Sequence, residues 1–303
     1  MEEDTAAKRR MYVLLILTAV IWGIQPLCIK WLVTAWSPVT ISAMRYCFIS
    51  VALIAIAVRH GETLLPPRHT LPALMAMGVC GILMNGCMQF TGLQYSSVTN
   101  CTLIAAASPA ITAFFAAVFL RERLNVIAWG GIAVSFLGAL AVVSHGSVRV
   151  LIEFSFNRGD VLFLLAQIAW TMYSILAVRV MRHMSAALCT GWSGLFGALA
   201  TILYGVLTDD FHPTALPTPL LAAFLYTVVF GGVMAMLFWN LGVRAVGPSV
   251  TSIFQNVTPI VGMLGGRLLF AEQIGALQLL GAAAIFGGVY FTTHSTHFGN
   301  KKQ

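Results

Sequence analysis

Polar side chains at helical spacing inside otherwise apolar stretches are the residues that could do chemistry. Asn85 and Gln89 are four residues apart, so a helix would place both amides on one face. An amide both donates and accepts hydrogen bonds, which suits reversible binding of a small polar or zwitterionic molecule. The alternative is a hydrogen bond between helices, worth about 0.6 kcal/mol on average inside membranes.

Aromatic and amide side chains share faces in two further stretches. Trp22 and Gln25 lie on one helical face, and Gln167, Trp170 and Tyr173 lie on another. Trp and Tyr offer a ring for stacking together with a polar N–H or O–H group. Both faces are candidates for binding a solute, although tryptophan in the middle of such a stretch also serves ordinary packing.

Two prolines, Pro109 and Pro259, interrupt later apolar stretches, and Gln255 and Asn256 precede the second of them. Proline removes a backbone hydrogen bond and frees a carbonyl group, which could line a cavity or hinge the helix. We predict gating bends at both prolines and solute contacts at Gln255 and Asn256. Kinks without a function are the alternative.

Charged groups within or at the ends of apolar stretches are few. We expect Lys30 to extend its amine to the membrane interface along its alkyl chain, whereas Arg45 could attract an anionic group or pair with a helix end. Glu122 and Glu272 close their stretches beside arginines, which predicts interfacial ion pairs. Trp239, near the end of its stretch, is expected to be an interfacial anchor.

The composition explains why these polar groups stand out. Of the 303 residues, 59% are hydrophobic and only 9% are charged, whereas soluble domains carry about 25% charged residues. The charges collect in short clusters between long apolar stretches, as they do in loops between membrane spans. Such loops also account for the net charge of +7, so we predict no nucleic-acid partner.

Ten segments are apolar and long enough to cross a bilayer, which takes about 20 residues. We therefore predict an all-α integral membrane protein with ten transmembrane helices, embedded in the lipid bilayer. The predicted spans are Met11 to Val33, Val39 to Val58, Leu71 to Phe90, Val98 to Leu120, Leu124 to Ser144, Val161 to Val180, Ala186 to Leu207, Leu220 to Asn240, Val250 to Phe270, and Ile274 to Thr293.

The basic residues predict the orientation of these spans. With the N-terminus in the cytoplasm, twelve Lys and Arg lie in cytoplasmic tails and loops, and only Arg149 and Arg158 lie on the other side. Positive residues favour the cytoplasmic side, so both termini are predicted there. Adding or dropping one span would scatter the basic residues over both faces, which favours ten spans.

One offset recurs along the chain and indicates an internal repeat. Pairs of residues 150 positions apart are Gly92 and Gly242, Pro109 and Pro259, Glu122 and Glu272, Gly131 and Gly281, and Gly138 and Gly288. Trp22 and Trp170 match at an offset of 148. Since five spans are an odd number, the second copy enters the membrane from the opposite side, which makes two inverted five-helix repeats.

The predicted organisation follows from this repeat. A cytoplasmic tail at 1–10 precedes the first half at 11–145. An extracytoplasmic linker at 146–160 leads to the second half at 161–294, which is followed by a cytoplasmic tail at 295–303.

The six cysteines form no CxxC pair and have no neighbouring histidine. They predict neither a metal site nor a disulfide framework.

Three motifs carry a resemblance to a known family. They are Ala19-Val20-Ile21-Trp22-Gly23, Pro38 with Arg45, and a Pro-to-Glu stretch that occurs twice, from Ala107-Ser108-Pro109-Ala110 to Arg123 and from Val257-Thr258-Pro259-Ile260 to Glu272. On these motifs the chain resembles, over nearly its whole length, the EamA-type exporters of the drug/metabolite transporter superfamily. The resemblance implies export or exchange of small metabolites, commonly amino acids, through a cavity lined by the first, third, fourth, sixth, eighth and ninth spans.

We therefore expect a secondary transporter of the bacterial inner membrane that moves a small-molecule solute, including drug-like compounds, by alternating access. It is expected to be a monomer or weak dimer without a cofactor. Uptake, or a sugar or nucleotide-sugar cargo, is the alternative, and coupling to a proton or another ion stays open. The sequence has no Walker loop, which excludes ATP hydrolysis by this chain, and no cluster of His, Asp or Ser at membrane depth that would favour an embedded enzyme.

Overall fold

A computed structural model of the protein describes residues 2–119, 125–143, 156–247, 250–251 and 254–299, and these residues form helices and turns without a strand. The first seven helices are α1 (Glu2–Leu32), α2 (Pro38–Arg59), α3 (Leu71–Gly78), α4 (Asn85–Tyr95), α5 (Val98–Ala105), α6 (Ser108–Phe119) and α7 (Val126–Val143). The later helices are α8 (Arg158–Val180), α9 (Ala186–Leu207), α10 (Thr218–Val228), α11 (Ala235–Val246), α12 (Thr258–Phe270) and α13 (Ala276–Gly299).

Apolar helices of membrane-spanning length dominate this fold. Within the described residues, seven stretches are long and apolar enough to cross a bilayer, and Trp129–Val142 and Ala276–Phe291 are shorter apolar helices. The seven stretches are Arg10–Leu32, Pro38–Arg59, Arg68–Tyr95, Val98–Phe119, Arg158–Val180, Ala186–Leu207 and Thr218–Val246. The prediction of an all-helical membrane protein is therefore confirmed.

The third and eighth predicted spans contain the same irregularity. A π-helical segment of six residues, Val79–Met84, joins α3 to α4, and another, Val229–Met234, joins α10 to α11. The two segments are 150 positions apart, the offset found in the sequence. A π-helical turn is wider than an α-helical turn and occurs often at functional sites.

The second helices of the two predicted halves, α2 and α9, begin alike. α2 and α9 are both 22 residues long and start 148 positions apart. The hydroxyl of Ser37 accepts a hydrogen bond from the Thr40 amide at 3.0 Å, and that of Ser185 accepts one from the Leu188 amide at 3.1 Å. Each serine thereby satisfies an amide that the first turn of a helix leaves unpaired.

α1 and α8, the first helices of the two predicted halves, each pack mainly against the other half. α1 contacts α10, α11 and α12, whereas α8 contacts α3, α4, α5 and α6. A Cβ atom added at Gly81 would collide with the ring of Tyr173, and one added at Gly231 would collide with the amide of Gln25. The two glycines are 150 positions apart and their partners 148 apart, so the two contacts are equivalent.

α7 and α13 cross through pairs of glycines. A Cβ at Gly138 would stand 2.7 Å from the carbonyl oxygen of Gly281, and a Cβ at Gly288 would stand 2.5 Å from that of Gly131. Small residues let helix backbones approach this closely. The earlier glycine of α7 meets the later glycine of α13, and the reverse, so the two helices run antiparallel. Each helix provides the closely packed glycine in one contact and the carbonyl oxygen in the other, as expected around a local twofold axis.

Both prolines predicted to bend helices lie in the first turn of a helix instead. α5 ends at Ala105 and α6 starts at Ser108, immediately before Pro109. A short 3₁₀ helix, Phe254–Val257, precedes α12, whose second residue is Pro259. Because amides in the first turn have no partner inside the helix, proline is favoured there. The predicted kinks are therefore corrected to helix breaks that precede each proline.

Candidate functional site

A central cavity of about 730 Å³, part of it open to solvent, lies where α1, α2, α4, α5, α8, α11 and α12 meet. Seven of the residues predicted to contact a solute line it. These are Trp22, Gln25, Asn85, Gln89, Gln167, Trp170 and Gln255. They come from both halves of the chain, so the cavity lies between the two predicted repeats.

Three tryptophans form one wall beside the cavity. The ring of Trp22 lies 5.5 Å from that of Trp170 and 5.1 Å from that of Trp239, measured between centroids. The indole N–H of Trp22 donates to the carbonyl of Gly231 at 3.0 Å. Trp239 is only 2% exposed, so its expected role as an interfacial anchor is wrong. The eighth span continues to Val246, which places Trp239 inside the bundle.

The amide of Asn85 follows directly after the first π segment. Its Nδ2 donates to the carbonyl of Ala166 on α8 at 2.9 Å, so this residue both lines the cavity and links two helices. Gln167 and Gln255 are 4% and 6% exposed, and Oε1 of Gln255 has no hydrogen-bond partner among the described residues. The cavity therefore offers several amides at its wall, one of them with an unused acceptor.

The remaining predicted residues do not line the cavity. Tyr173 is fully buried, stacks on Trp170 with centroids 4.9 Å apart, and accepts a hydrogen bond from Nδ2 of Asn240 at 3.0 Å. Asn256 is half-buried and, with Pro109 and Pro259, does not belong to the cavity lining. Of these four residues, Tyr173 supports the wall through its stacking on Trp170.

Arg45 is a buried residue of the cavity wall. It is 3% exposed, and its Nη2 donates to Oε1 of Gln25 and to the carbonyl of Thr227, both at 3.1 Å. Its guanidinium carbon lies 5.2 Å from the centroid of the Phe90 ring, a distance suited to a cation–π contact. Arg45 thus faces the interior of the bundle.

Lys30 and Glu272 form an ion pair that the sequence did not predict. Lys30 Nζ lies 3.1 Å from Oε1 of Glu272 and also donates to the carbonyl of Ser96 at 3.1 Å. The side chains are 24% and 10% exposed. The expectation that Lys30 extends freely to the interface is therefore wrong, and the described partner of Glu272 is Lys30 and not a neighbouring arginine. Glu122 lies outside the described residues.

The carboxylate of Glu272 also caps the start of α5. It accepts hydrogen bonds from the amides of Val98 and Thr99 at 2.9 and 3.0 Å, and from the Thr99 hydroxyl at 2.8 Å. Burial opposes the charged form of this carboxyl group, but the hydrogen bonds from Val98, Thr99 and Lys30 outweigh it and lower the pKa of Glu272. Glu272 is thus held as an anion in the connection between α12 and α13.

A second carboxylate, Asp160, lies in the first turn of α8 and is fully buried. It accepts hydrogen bonds from the hydroxyl of Ser96 and from Nδ2 of Asn100, whose Oδ1 in turn accepts from Gln278 at 2.6 Å. Ser96 connects this cluster to Lys30 through its carbonyl. Asp160 was missed in the sequence, although an acidic residue at the N-terminus of an apolar helix is a recognisable signal.

Replacing Asp160 by alanine is expected to lower the free energy of unfolding by about 2–4 kcal/mol, because Ser96 and Asn100 would lose a charged acceptor in a buried place. Thermal unfolding of the purified protein in detergent measures this. Asp160→Asn keeps one acceptor oxygen and should give a smaller loss. An unchanged melting temperature in Asp160→Ala would contradict the structural role assigned to this carboxylate.

Curated relatives align with almost the whole chain. A transporter of Bacillus subtilis (strain 168) named YyaM and described as uncharacterized is 27% identical over 285 residues, covering 92% of both chains. An uncharacterized transporter of Archaeoglobus fulgidus is 22% identical and covers 93% of this chain and 98% of its own. The uncharacterized inner membrane transporter YedA of Escherichia coli (strain K12) is 24% identical over 278 residues, covering 90% and 87%.

A solved crystal structure shares the fold. It aligns with a TM-score of 0.69 at 16% sequence identity and covers 94% of this chain and 98% of its own. The family model of the EamA-like transporters matches the sequence twice, at residues 9–144 and 157–294. The resemblance stated from sequence motifs is therefore confirmed, and the chain belongs to the EamA-like transporter family.

Proposed function

We propose that this membrane transporter exports or exchanges small metabolites, amino acids or related compounds, by alternating access around the central cavity. The observation that carries the proposal is the lining of that cavity. Amides of Asn85, Gln89 and Gln167 and the rings of Trp22 and Trp170 meet there from both halves of the chain. Such groups can bind a polar or aromatic solute reversibly.

Two inverted five-helix halves would supply the motion. The equivalent contacts of Gly81 with Tyr173 and of Gly231 with Gln25 support a pseudo-twofold arrangement, as does the antiparallel crossing of α7 and α13. In transporters built from inverted repeats, one half rocks against the other around a site near the middle of the membrane. The halves are proposed at 11–145 and 161–294, joined by the linker at 146–160.

The proposed topology places both termini in the cytoplasm of a bacterial cell. The bias of basic residues supports this orientation. Glu272 and the N-terminus of α5 then lie at the extracytoplasmic end, where the ion pair with Lys30 would hold the two halves together. A closed outer end and a solute site deeper in the bundle are what alternating access requires of one of its states.

Alanine substitutions at Asn85, Gln89 and Trp170 test the proposed site. We expect each variant to lower the rate of solute transport about tenfold or more, because each removes a hydrogen bond or ring at the cavity wall. The assay uses proteoliposomes loaded with a panel of labelled amino acids and related metabolites, which also identifies the cargo. Initial rates are compared at a concentration well below saturation.

Trp31→Ala serves as the matched control, since Trp31 is 43% exposed and lies outside the cavity. Circular dichroism and size-exclusion chromatography check that every variant is folded. If all three cavity variants transport at the wild-type rate while folded, the cavity is not the transport site.

A further inference from the structure

We propose that the cavity selects solutes that carry a carboxylate group and no net positive charge, and that the guanidinium of Arg45 binds this carboxylate. This inference rests on the proposed transport function, because both use the same cavity. It narrows the cargo from metabolites in general to amino acids and monocarboxylic acids, and it excludes cationic compounds.

The charge of the cavity wall is the first argument. Arg45 is the one lining residue among the described residues with a permanent charge, and no Asp or Glu lines the space. Of the carboxylates in the described chain, the buried Asp160 and the half-buried Glu272 are engaged elsewhere, with Asn100 and Lys30. The described part of the lining therefore carries one positive charge and no negative charge, which repels a cation and attracts an anion.

The hydrogen bonds of Arg45 are the second argument. Its Nη2 donates only to neutral oxygens, those of Gln25 and Thr227, and its Nε is buried without a partner among the described residues. A buried charge is costly unless an opposite charge or good hydrogen bonds compensate it. A guanidinium presents N–H groups in a planar fork that fits the two oxygens of a carboxylate. A bound carboxylate would thus provide the counter-ion that the described residues do not.

The surroundings of Arg45 limit what else the solute can be. One guanidinium balances a single negative charge, which suits a carboxylate better than a dianionic phosphate. Trp22 and Trp170 line the same space and would contact an apolar or aromatic body. The unpaired Oε1 of Gln255 could accept a hydrogen bond from the ammonium group of a zwitterion. The chemistry of the wall therefore matches an amino acid or an aromatic monocarboxylate.

Matched pairs of ligands test the inference on the purified protein in detergent, with tryptophan fluorescence as the readout. The probes are 3-phenylpropionate against 3-phenylpropanamide and L-phenylalanine against L-phenylalaninamide, with L-leucine, acetate and phenyl phosphate added. We expect each carboxylate to bind about 10- to 100-fold more tightly than its amide, and phenyl phosphate to bind more weakly than 3-phenylpropionate.

Variants assign this preference to Arg45. Arg45→Gln should abolish the difference between carboxylate and amide, whereas Arg45→Lys should keep part of it because the charge remains. Arg59→Gln removes an exposed arginine at the end of the same helix and should keep the full preference. If Arg45→Gln does not fold, the preference for carboxylate over amide in the wild type and its partial loss in Arg45→Lys still test the inference.

Several outcomes would overturn the inference. They are equal or tighter binding of the amides, no saturable binding of any carboxylate, and a preference that survives in folded Arg45→Gln. Proteoliposomes separate this failure from failure of the proposed function. If the protein transports cations or uncharged solutes without a carboxylate but transports no carboxylate, the inference alone is contradicted. If it transports no solute in the panel, the proposed function is contradicted.

Discussion

Replacement of Glu272 by alanine is expected to lower the free energy of unfolding by about 2–4 kcal/mol. The substitution would leave the amides of Val98 and Thr99 without their acceptor and Lys30 without its counter-ion. These groups start α5 and end α1, so the loss acts on two helices of the cavity wall. Thermal unfolding in detergent, followed by circular dichroism, measures the change in melting temperature.

Glu272→Gln separates the charge from the shape of the side chain and should give an intermediate loss. Glu62→Ala, which removes a carboxylate from the loop after α2, is the control. Since the proposed function places this ion pair at the outer end of the cavity, a folded Glu272→Gln variant should also open more readily to that side. A melting temperature of Glu272→Ala equal to that of Glu62→Ala would contradict the assigned role.

The pH dependence of this effect has a definite sign. The folded pKa of Glu272 lies below its ordinary value of 4.5, so the folded state binds the proton less readily than the unfolded state. The stabilisation is therefore fully present above the ordinary pKa and is lost as the pH falls through the lower, folded pKa. The difference in melting temperature between wild type and Glu272→Gln should be constant near pH 7 and shrink under strong acid.

Replacement of Gly138 by alanine is also expected to destabilise the protein. A Cβ at this position would stand 2.7 Å from the carbonyl oxygen of Gly281 and 2.8 Å from the amide nitrogen of Ile285. Both are backbone atoms of α13, so no side-chain rotation relieves the collision and the two helices must separate. Overpacking of this kind costs about 1–3 kcal/mol, and Gly138→Leu should cost more.

Gly130→Ala is the matched control, because it lies on the same helix and a Cβ there meets nothing within 4 Å. Alanine favours helix formation over glycine by about 1 kcal/mol in water, so the control should unfold at the same temperature or a higher one. Thermal unfolding of both variants under identical conditions gives the comparison. If Gly138→Ala proves as stable as Gly130→Ala, α7 and α13 do not cross at this glycine.

Local features of the sequence were sufficient to predict much of the helical content and part of the cavity wall. A polar side chain in a long apolar helix is expensive to expose to lipid, so Asn85, Gln89 and Gln167 were expected to face the interior. The regular geometry of a helix determines which of these side chains share a face. The repeat offset likewise needs only the sequence, and the matching π segments, 150 positions apart, agree with it.

Pairings between distant residues were not predictable in the same way. Lys30 and Glu272 are 242 positions apart, and Arg45 reaches a carbonyl 182 positions away at Thr227. Lys30 and Glu272, read alone, favour an interfacial position, because charged side chains near span ends usually extend to water. Only the packing of α1 and α2 against the second half of the chain provides the buried partners that reverse this expectation.

The sequence by itself determined that this chain forms apolar helices of membrane-spanning length with a recurring pattern, because length, hydropathy and spacing are local properties. The tertiary structure alone decided which polar groups meet. It placed Arg45 in the wall of the cavity, Trp239 against Trp22, and Glu272 at the start of α5. The physical reason is that hydrogen bonds and ion pairs act over a few ångströms, and only helix packing brings distant residues within that range.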